Sequence, residues 1–515
     1  MRQYITTAID YPNAAPHMGH VMEKVLADVT ARWFRLRGDD VRFQIGTDEH
    51  GVKIQRKAQE EKVEPQALVD RNVPLYIDLY RRLQISSDFF IRTTDQKRHW
   101  PTVQALWKKL VAAGVLEKRT YTGLYCAGCE RFMTARDLTE GKCAIHNAVP
   151  EEVSEENYFF LLSKDASWLK SLLTKKKGGP HSEARPSGGY AIVPASRAQE
   201  TLSLIEQGLE DVSFSRPKSS LSWGIPVPDD PDHVMYVWCD ALTNYISGLG
   251  YFTDHEENQW WEDAEVTHVI GKDIARFHAL IWPAMLKHAG VRIPDRLLIH
   301  GFLTSEGQKM SKSIGNVVMP EEVMKHFNGN PDPLRFYLSH EIPVGNDGDF
   351  SWKRIDELYD AMLRNKIGNL LNRVLVLLKK EGGMLSAVGK DPAGGAWKAY
   401  AAAMDDFRLS DAIQEAVKIA VGANEYIDAR RVWALPAAEK TAELSNLAER
   451  LRHISLMLLP FIPKTAQEIA RQLQVPYAEK MLVKDFQITP EMRKWGGQKD
   501  WKKVGEPRIL FAPLS

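Results

Sequence analysis

Two histidines flank a glycine near the start of the chain, in the stretch APHMGH that ends at His20. His17 and His20 stand three residues apart, so they share one face where a helix begins. The first turn of a helix offers unpaired N–H groups and a partial positive charge, which attract phosphates. Gly19 has no side chain, so a flat ring can approach the backbone there. Taken alone, the stretch is also typical of an ordinary helix cap that contains histidines.

A second candidate phosphate element lies far downstream, in the stretch GQKMSKSIGN. Lys309 and Lys312 bracket Met310 and Ser311, and glycines stand on both sides of the stretch. Two ammonium groups on such a loop can close over a triphosphate and stabilise the charge on a departing pyrophosphate. Taken alone, a solvated lysine loop is the commoner outcome.

Cysteine and histidine follow a metal-binding spacing in the segment CAGCERFMTARDLTEGKCAIH. The four candidate ligands are Cys126, Cys129, Cys143 and His146. Two pairs at two-residue spacing suit tetrahedral Zn²⁺, and four protein ligands leave no open position, so the site is predicted to be structural. The fourth cysteine of the chain, Cys239, lies in an apolar run and is predicted to be a buried small side chain.

These residues need a framework, and the N-terminal pattern predicts an α/β fold. Tyr4–Ile9 is rich in β-formers and Val41–Gly46 predicts the next strand. Between them, apolar residues recur at helical spacing and Gly38 follows the last turn. Strand, helix, strand is a parallel unit of the doubly wound kind, and such sheets bind nucleotides at the first crossover. The histidine pair falls there.

The C-terminal third is predicted to be all-α. Ile355–Lys380 repeats apolar residues at spacings of three and four, and two further long segments do the same, which indicates a helical bundle. Lys175–Gly189, by contrast, is rich in lysine, glycine and proline and is predicted to be a surface loop.

Length and composition restrict the class of protein. A chain of 515 residues is too long for one core. Its 44% hydrophobic and 26% charged content is ordinary for a globular protein. The formal net charge of zero gives no indication of a polyanionic partner. No apolar run is long enough to cross a membrane and no secretory signal precedes the first strand. Four cysteines suit a reducing compartment, so a cytoplasmic location is expected.

The two phosphate elements occur as a pair, and with them the chain resembles the class I aminoacyl-tRNA synthetases. HMGH has methionine where that family usually has isoleucine, whereas KMSKS matches in all five residues. Further stretches resemble the methionine-specific branch of the family, spread from Tyr4 to about Pro460. They are GTDEHG, YVWCDALTNY, HVIGKDIARFHALIWPAML, DGDFSW and RNKIGNLLNR.

The resemblance implies ATP-dependent attachment of L-methionine to tRNA(Met) through a methionyl-adenylate, with Mg²⁺ accompanying ATP. It implies ATP contacts from His17, Gly19, His20, Gly271, Asp273, Lys309 and Lys312, of which the two histidines and two lysines are the catalytic residues. It implies methionine contacts from Ile9, Tyr11, Asp48, Trp238, Ala241, Tyr245, Phe277 and His278. It implies anticodon contacts from Asn369, Arg373 and Trp433. Asp48 and Asp273 are equally suited to helix N-caps, Asn369 and Arg373 to a polar helix face, and Trp433 to a core anchor.

The fold expected from all these observations is a doubly wound parallel-sheet nucleotide-binding domain with a zinc-knuckle connective insertion, followed by an all-α helical bundle. The expected segments are 1–120 for the first half of the catalytic domain, 121–218 for the insertion, 219–350 for the second half with the KMSKS loop and 351–515 for the anticodon-binding helices. The predicted bundle ends close to Ser515, and we expect no C-terminal dimerisation and tRNA-binding module of the kind that some members of the family carry, so we expect a monomer.

Three other functions compete. A class I synthetase for another amino acid is disfavoured by the aromatic pocket and by an insertion too small for an editing domain. A nucleotidyltransferase with the same histidine motif needs no anticodon bundle. A non-catalytic RNA-binding relic is disfavoured because both histidines and both lysines are present.

Overall fold

The computed structural model describes residues 1–128, 131–133, 137–144, 147–174, 190–254, 257–309, 316–389 and 395–514. The predicted loop Lys175–Gly189 lies outside the described residues. The chain divides into two units, each of which has its own core. Unit 1 comprises Met1–Pro16, Arg42–Leu79 and Ser87–His300, and unit 2 comprises His17–Val41, Tyr80–Ser86 and Gly301–Ser515.

A six-stranded sheet forms the centre of unit 1. Its strands, in spatial order, are β3 (Phe89–Arg92), β2 (Asp40–Thr47), β1 (Arg2–Thr7), β14 (Glu265–Gly271), β15 (Arg296–His300) and β9 (Ala191–Val193). β1 pairs in parallel with β14, β14 with β15, β15 with β9, and β2 with β3. The strand order reverses between β1 and β14, and open parallel sheets bind ligands at the carboxyl ends of the strands on either side of such a reversal. The expectation of an α/β fold with a parallel sheet is confirmed.

The elements of this sheet and its connections alternate along the chain. The helices are α2 (Val52–Glu61), α3 (Pro65–Arg82), α4 (His99–Ala112), α5 (Ala166–Thr174), α6 (Ala195–Glu206), α7 (Val237–Leu242), α8 (Asn244–Ser247), α9 (Gln259–Glu262) and α10 (Trp282–Ala289). A π-helical turn, Phe277–Ile281, precedes α10.

The remaining strands of unit 1 are β4 (Leu116–Cys126), β5 (Arg131–Met133), β6 (Leu138–Thr139), β7 (Lys142–Cys143), β8 (Glu151–Phe160), β10 (Val212–Ser213), β11 (Ser215–Pro217), β12 (Pro226–Val227) and β13 (Asp230–Met235). They form a second, antiparallel sheet in the order β10-β8-β4-β5 and two small sheets, β11-β13-β12 and β6-β7. Residues of β4 alternate between exposed and partly buried positions, which is the pattern of a sheet with one face toward solvent.

Unit 2 is mainly helical. Its helices are α1 (Met18–Arg37), α11 (Pro320–His326), α12 (Asp332–Glu341), α13 (Trp352–Leu358), α14 (Asn369–Lys380), α15 (Ala396–Asp405), α16 (Leu409–Arg430), α17 (Ala437–Leu458), α18 (Pro463–Gln472) and α19 (Pro490–Arg493). A π-helical segment, Tyr359–Gly368, joins α13 to α14. A small sheet contains β16 (Leu303–Ser305), β17 (Gln308–Lys309) and β18 (Gly348–Phe350). None of the described helices combines the length and the apolar character needed to cross a membrane.

The first predicted helix is confirmed, with boundaries that follow from its sequence. α1 ends where Gly38 adopts φ 98° and its N–H bonds to Arg35, as expected for a glycine in the left-handed region. The predicted apolar stripe through Val21 and Val25 is buried. Burial also extends to charged positions of the same helix, because Asp28 pairs with Arg32 and Arg335 inside unit 2.

Candidate active site

The turn after β2 carries Asp48, the predicted ligand of the substrate ammonium. The Asp48 N–H donates to the Asp10 carbonyl at 2.9 Å, and the Asp10 N–H donates to the Gly46 carbonyl at 3.0 Å. These two bonds hold Asp10, the residue after Ile9, beside the end of β2. Asp48 is 4% exposed, and α2 is capped by Gly51, so Asp48 is not a helix N-cap. Ile9 and Asp48 therefore lie at the carboxyl ends of adjacent strands.

Aromatic side chains from α7 and from the π-helical turn form a stacked pair. The rings of Trp238 and Phe277 lie 3.7 Å apart, centroid to centroid, at an interplanar angle of 8°. Ala241 follows Trp238 by three residues on α7 and is buried. Parallel rings beside a small side chain suit an unbranched apolar substrate, because a thioether packs well against aromatic rings.

A second pair of predicted pocket residues is joined by a hydrogen bond. The Tyr245 hydroxyl lies 2.6 Å from His278 Nε2, and His278 Nδ1 lies 3.0 Å from the Ile274 carbonyl. Behind Tyr245, the His268 ring lies at 4.1 Å, and burial together with His278 holds the pKa of His268 well below 6.5. Tyr245 is therefore held from two sides by imidazoles.

Tyr11, the remaining predicted methionine residue, lies after β1. The Lys53 ammonium lies 4.7 Å from its ring centroid, and the Tyr11 carbonyl accepts a hydrogen bond from Tyr76 at 2.9 Å. Its side chain packs against the core of unit 1 while remaining partly exposed.

The predicted adenosine contacts lie at the end of β14. Gly271 is the last residue of that strand, opposite His300 of β15. A side chain at Gly271 would lie 2.7 Å from Asp273 Oδ1, so glycine keeps this carboxylate close to the strand end. Asp273 is exposed in the short helical turn Lys272–Ile274 and is not its N-cap.

In unit 2, His17 and His20 cap the first turn of α1, because each imidazole accepts a hydrogen bond from a backbone N–H of that turn. His17 is the N-cap, its Nδ1 accepts from the Gly19 N–H at 3.2 Å, and the His17 N–H donates to His20 Nδ1 at 3.1 Å. Both Nδ1 atoms are acceptors, so the proton of each neutral ring resides on Nε2. Burial, His17 and Lys24 hold the pKa of His20 well below 6.5.

Gly19 has a second reason to be glycine. A Cβ there would lie 3.0 Å from His17 Cε1, so a side chain at this position requires the capping imidazole to move by a few tenths of an ångström. The sequence pattern placed both histidines inside the first turn, whereas His17 lies just before it as the cap.

Lys309 lies on a hairpin of unit 2 formed by β16 and β17. The turn residues Glu306 and Gly307 have φ values of 50° and 76°, as a two-residue hairpin turn of the primed type requires. Asp349 Oδ1 accepts from the Gly307 N–H at 2.8 Å and from Thr304 Oγ1 at 2.6 Å. The hairpin is thus fastened to β18. Lys312 lies outside the described residues.

Comparisons with known proteins agree with this geometry. A family model described as tRNA synthetases class I (M) matches residues 3–139 and 133–375. Methionine–tRNA ligase of Caldanaerobacter subterraneus subsp. tengcongensis is 40% identical over 525 residues, covering 99% of this chain and 78% of the relative. The enzyme of Brucella suis biovar 1 is 40% identical over 507 residues, covering 95% of both chains.

A solved structure is similar over the whole chain as well. Mycobacterium tuberculosis methionyl-tRNA synthetase in complex with methionyl-adenylate gives a TM-score of 0.86 at 34% identity, covering 99% of this chain and 100% of that one. This chain belongs to the class I methionyl-tRNA synthetases. The class I synthetase fold that the family resemblance predicts is therefore shared over nearly the full length of the chain.

In this methionyl-tRNA synthetase, the predicted anticodon residues lie in unit 2. Asn369 is exposed at the start of α14, and Arg373 follows one turn later. The Arg373 guanidinium carbon lies 5.9 Å from the Trp433 ring centroid, and its Nη2 lies 2.6 Å from Asp428 Oδ1. Trp433 is 46% exposed, so the alternative of a core anchor is wrong.

Two of the four predicted zinc ligands of this synthetase are described. Cys126 ends β4 and Cys143 ends β7, and both are buried in one small cluster with Met133. Cys129 and His146 lie outside the described residues. Within the described part of the chain there is no group of three or more candidate metal ligands, so the described residues alone form no site.

Sequence reasoning missed a buried cation of this synthetase. Arg216 is 4% exposed, bonds Ser213 Oγ at 2.6 Å, and lies 4.7 Å from the Tyr236 ring centroid. In the described ranges no carboxylate forms an ion pair with it, and it lines a cavity of about 570 Å³ together with Phe277. A guanidinium in such surroundings binds carboxylate or phosphate strongly. Only its serine-rich context, SFSRPKSS, was visible in the sequence.

Proposed function

We propose that this chain is a methionine–tRNA ligase that attaches methionine to tRNA(Met) through a methionyl-adenylate. The observation that carries the proposal is the similarity over 99% of the chain to a synthetase solved with methionyl-adenylate. A class I synthetase for another amino acid and a nucleotidyltransferase are disfavoured by the same full-length similarity to methionine enzymes.

The reaction has two steps, and neither forms a covalent enzyme intermediate. The methionine carboxylate attacks the α-phosphorus of ATP, and the bond to pyrophosphate breaks. A ribose hydroxyl at the 3′ end of the tRNA then attacks the methionyl carbonyl and AMP leaves. Catalysis of this kind depends on positioning and on stabilising charge as it develops.

The methionine site is proposed to lie in unit 1. Asp48 would hold the ammonium in a charge-assisted contact, helped by the Ile9 backbone. Tyr11, Trp238, Ala241, Tyr245, Phe277 and His278 would enclose the thioether side chain. Two contacts support this assignment, the stacking of Trp238 on Phe277 and the hydrogen bond between Tyr245 and His278. Each fixes the side chains that would line the methionine pocket.

Seven residues of this chain are proposed to contact ATP. Gly271 and Asp273 would contact adenosine, and Gly19 would leave room for the adenine ring. The Nε2 protons of His17 and His20 suit phosphate oxygens, because both histidines accept bonds at Nδ1. Lys309 and Lys312 would stabilise the leaving pyrophosphate. Magnesium, which accompanies ATP, neutralises phosphate charge and uses few protein ligands.

The remaining assignments concern tRNA and architecture. We propose that Asn369, Arg373 and Trp433 read the anticodon, which suits an exposed ring beside a guanidinium. We propose that 1–120 and 219–350 are the two halves of the catalytic domain, separated by a zinc-knuckle insertion over 121–218. A helical bundle over 351–515 follows them. We also propose that the protein is a monomer and that it is located in the cytoplasm. The ligands of the structural Zn²⁺ would be Cys126, Cys129, Cys143 and His146.

The decisive experiment is amino-acid-dependent ATP–pyrophosphate exchange with all twenty amino acids. Exchange with methionine alone is expected. Exchange with another amino acid would retain the family chemistry and overturn the pocket assignment, whereas no exchange with any of them, in folded protein, would favour the relic.

A further inference from the structure

Four buried polar side chains form a continuous hydrogen-bonded chain in unit 1, outside the residues assigned above. Asp240 Oδ2 lies 2.6 Å from His50 Nδ1, and Asp240 Oδ1 lies 2.6 Å from His99 Nε2. The other nitrogen of His99 lies 2.7 Å from Ser247 Oγ. Asp240, His99 and Ser247 are each 0% exposed and His50 is 2% exposed. The chain joins the turn after β2 to α4, α7 and α8.

Serine, histidine and aspartate in this order could suggest a nucleophilic triad. A nucleophile must reach its substrate, however, and the Ser247 hydroxyl is completely enclosed. Ser247 Oγ also lies 3.3 Å from the Asn244 carbonyl of its own helix. The group is therefore not a hydrolytic site, and its effect must be to hold elements in place.

The protonation of the chain follows from its partners. Burial would raise the pKa of Asp240, but the contacts with His50 and His99 outweigh burial and lower it below 3.8. An ionised carboxylate only accepts, so His50 Nδ1–H and His99 Nε2–H both donate to it. On the other side of the His99 ring, Nδ1 lies 2.7 Å from Ser247 Oγ. The two bonds to Asp240 therefore have a defined direction.

Asp240 lies on the face of α7 opposite the predicted pocket residues. With about 100° per residue in a helix, Ala241 is about 60° from Trp238 around the axis, whereas Asp240 is about 160° away. α7 has only six residues and no side-chain bond at its N-cap. A helix this short has little stability of its own, so its position depends on such anchors.

The other end of the anchor is rigid. His50 follows Asp48 by two residues, and Glu49 between them is 0% exposed and accepts two bonds from Arg92, each at 2.8 Å. The Glu49 carbonyl accepts from Trp223 Nε1 at 2.6 Å. The turn that carries Asp48 is therefore fixed before Asp240 attaches α7 to it.

We propose that Asp240 is a positioning residue for methionine binding, because its bonds to His50 and His99 set the distance between the Asp48 turn and the Trp238 face of α7. The proposal rests on the proposed function, since it takes Asp48 and Trp238 as opposite contacts of one substrate. Replacing a buried ion pair by apolar packing is often neutral for stability, whereas a fully satisfied buried polar network rigidifies the core around it.

The main test compares Asp240→Asn with the wild type in methionine-dependent ATP–pyrophosphate exchange. The amide presents N–H₂ to one of the two imidazole donors, so one bond is lost and α7 shifts. We expect the KM for methionine to rise roughly tenfold while kcat changes less than about threefold, as expected when ground-state binding is affected. The KM for ATP should stay unchanged.

Asp165→Asn is the matched control. Asp165 is also buried, at 1% exposure, and also accepts from a histidine, His288 Nε2 at 2.8 Å. It lies in the turn before α5, far along the chain from the Asp48 turn, and its substitution should lower the melting temperature without changing the KM for methionine. An unchanged KM in Asp240→Asn, or an equal rise in both variants, overturns the proposal.

A second pair of variants covers the case in which Asp240→Asn does not fold. His99→Gln can keep a donor to Asp240, whereas His99→Leu cannot. His99 itself is not assigned to any substrate contact. Titration with methionine, followed by tryptophan fluorescence, should give a dissociation constant near the wild-type value for His99→Gln and a roughly tenfold weaker one for His99→Leu. Equal affinities in the two variants overturn the proposal. If the wild type shows no methionine-dependent exchange, it is the proposed function that fails.

Discussion

The Tyr245 hydroxyl oxygen lies 2.6 Å from His278 Nε2, and the direction of that hydrogen bond is fixed from the far side of the imidazole. His278 Nδ1 faces the Ile274 carbonyl at 3.0 Å, which can only accept, so Nδ1 carries the proton of the neutral ring. Nε2 must then accept from Tyr245. This hydrogen bond therefore orders the proposed pocket wall before any substrate binds.

Tyr245→Phe removes this bond and leaves the ring in place. Because a buried hydrogen bond contributes about 1 kcal/mol, we expect the KM for methionine to rise roughly fivefold, with kcat nearly unchanged. Steady-state ATP–pyrophosphate exchange measures both parameters. Tyr190→Phe is the matched control, because the Tyr190 hydroxyl donates to the His278 backbone carbonyl at 3.1 Å and its loss should leave the KM unchanged. Equal KM values in Tyr245→Phe and the wild type would show that the bond has no role in binding.

Asp349→Ala should release the hairpin that carries Lys309. The carboxylate accepts from Gly307 and Thr304 and so holds the turn on β18. We expect kcat for pyrophosphate exchange to fall roughly tenfold, since loose positioning of catalytic groups is costly, while the melting temperature changes little. Glu357→Ala, an exposed site on α13, controls for loss of a surface carboxylate. An unchanged kcat in Asp349→Ala would place the hairpin outside the rate-determining step.

The local sequence pattern was sufficient to predict secondary-structure elements such as α1 and part of the candidate site. Apolar spacing predicted α1, and Gly38 predicted its end, because both depend on neighbouring residues. The Asp240–His50 bond joins residues 190 apart, and the Asp28–Arg335 pair joins residues 307 apart. Such pairs leave no periodic trace in one sequence. The family resemblance predicts the candidate pocket residues, whereas the partners that order them are brought together only by the fold.

Asp28→Asn should destabilise unit 2 in a pH-dependent way. Burial would raise the pKa of Asp28, but Arg32, Arg335 and Ser86 outweigh it and lower the pKa to about 2. A carboxylate with a depressed folded-state pKa contributes its full stability above about pH 4 and loses it as pH falls through about 2, a contribution of roughly 2 kcal/mol.

Urea denaturation of the wild type and Asp28→Asn checks this prediction. We expect a difference of about 3–5 kcal/mol in the free energy of unfolding at pH 7, because a buried partner is left unpaired, and a smaller difference at pH 3. Asp411→Asn breaks an exposed pair with Arg408 and should cost less than about 1 kcal/mol. A difference that stays constant between pH 7 and pH 3 would mean that Asp28 does not titrate as proposed.

The zinc proposal predicts one metal ion per chain. Cys126 and Cys143 already share one buried cluster, which suits two of four thiolate and imidazole ligands. Metal analysis of the purified protein should find about one zinc, and Cys126→Ser should lower both zinc content and melting temperature. Cys239→Ser, at a buried thiol whose pKa burial raises, should leave the zinc content unchanged. Fully active protein without zinc would contradict the structural role.

Trp433→Ala should separate tRNA charging from adenylate formation. Its ring is 46% exposed beside the Arg373 guanidinium, an arrangement that can stack a single-stranded base. Loss of one stacked base costs about 1–3 kcal/mol, so the KM for tRNA(Met) should rise roughly 5- to 150-fold while pyrophosphate exchange is unchanged.

The control for this variant is Trp397→Ala, because Trp397 is also in unit 2 but packs on Tyr400 and donates from Nε1 to His453 at 2.6 Å. A structural tryptophan of this kind should lower the melting temperature when it is removed. Trp433→Ala should leave the melting temperature within about 2 °C of the wild type, since an exposed ring contributes little to the core. If Trp433→Ala instead lowers the melting temperature and both activities together, the ring stabilises the helices and the base is read elsewhere.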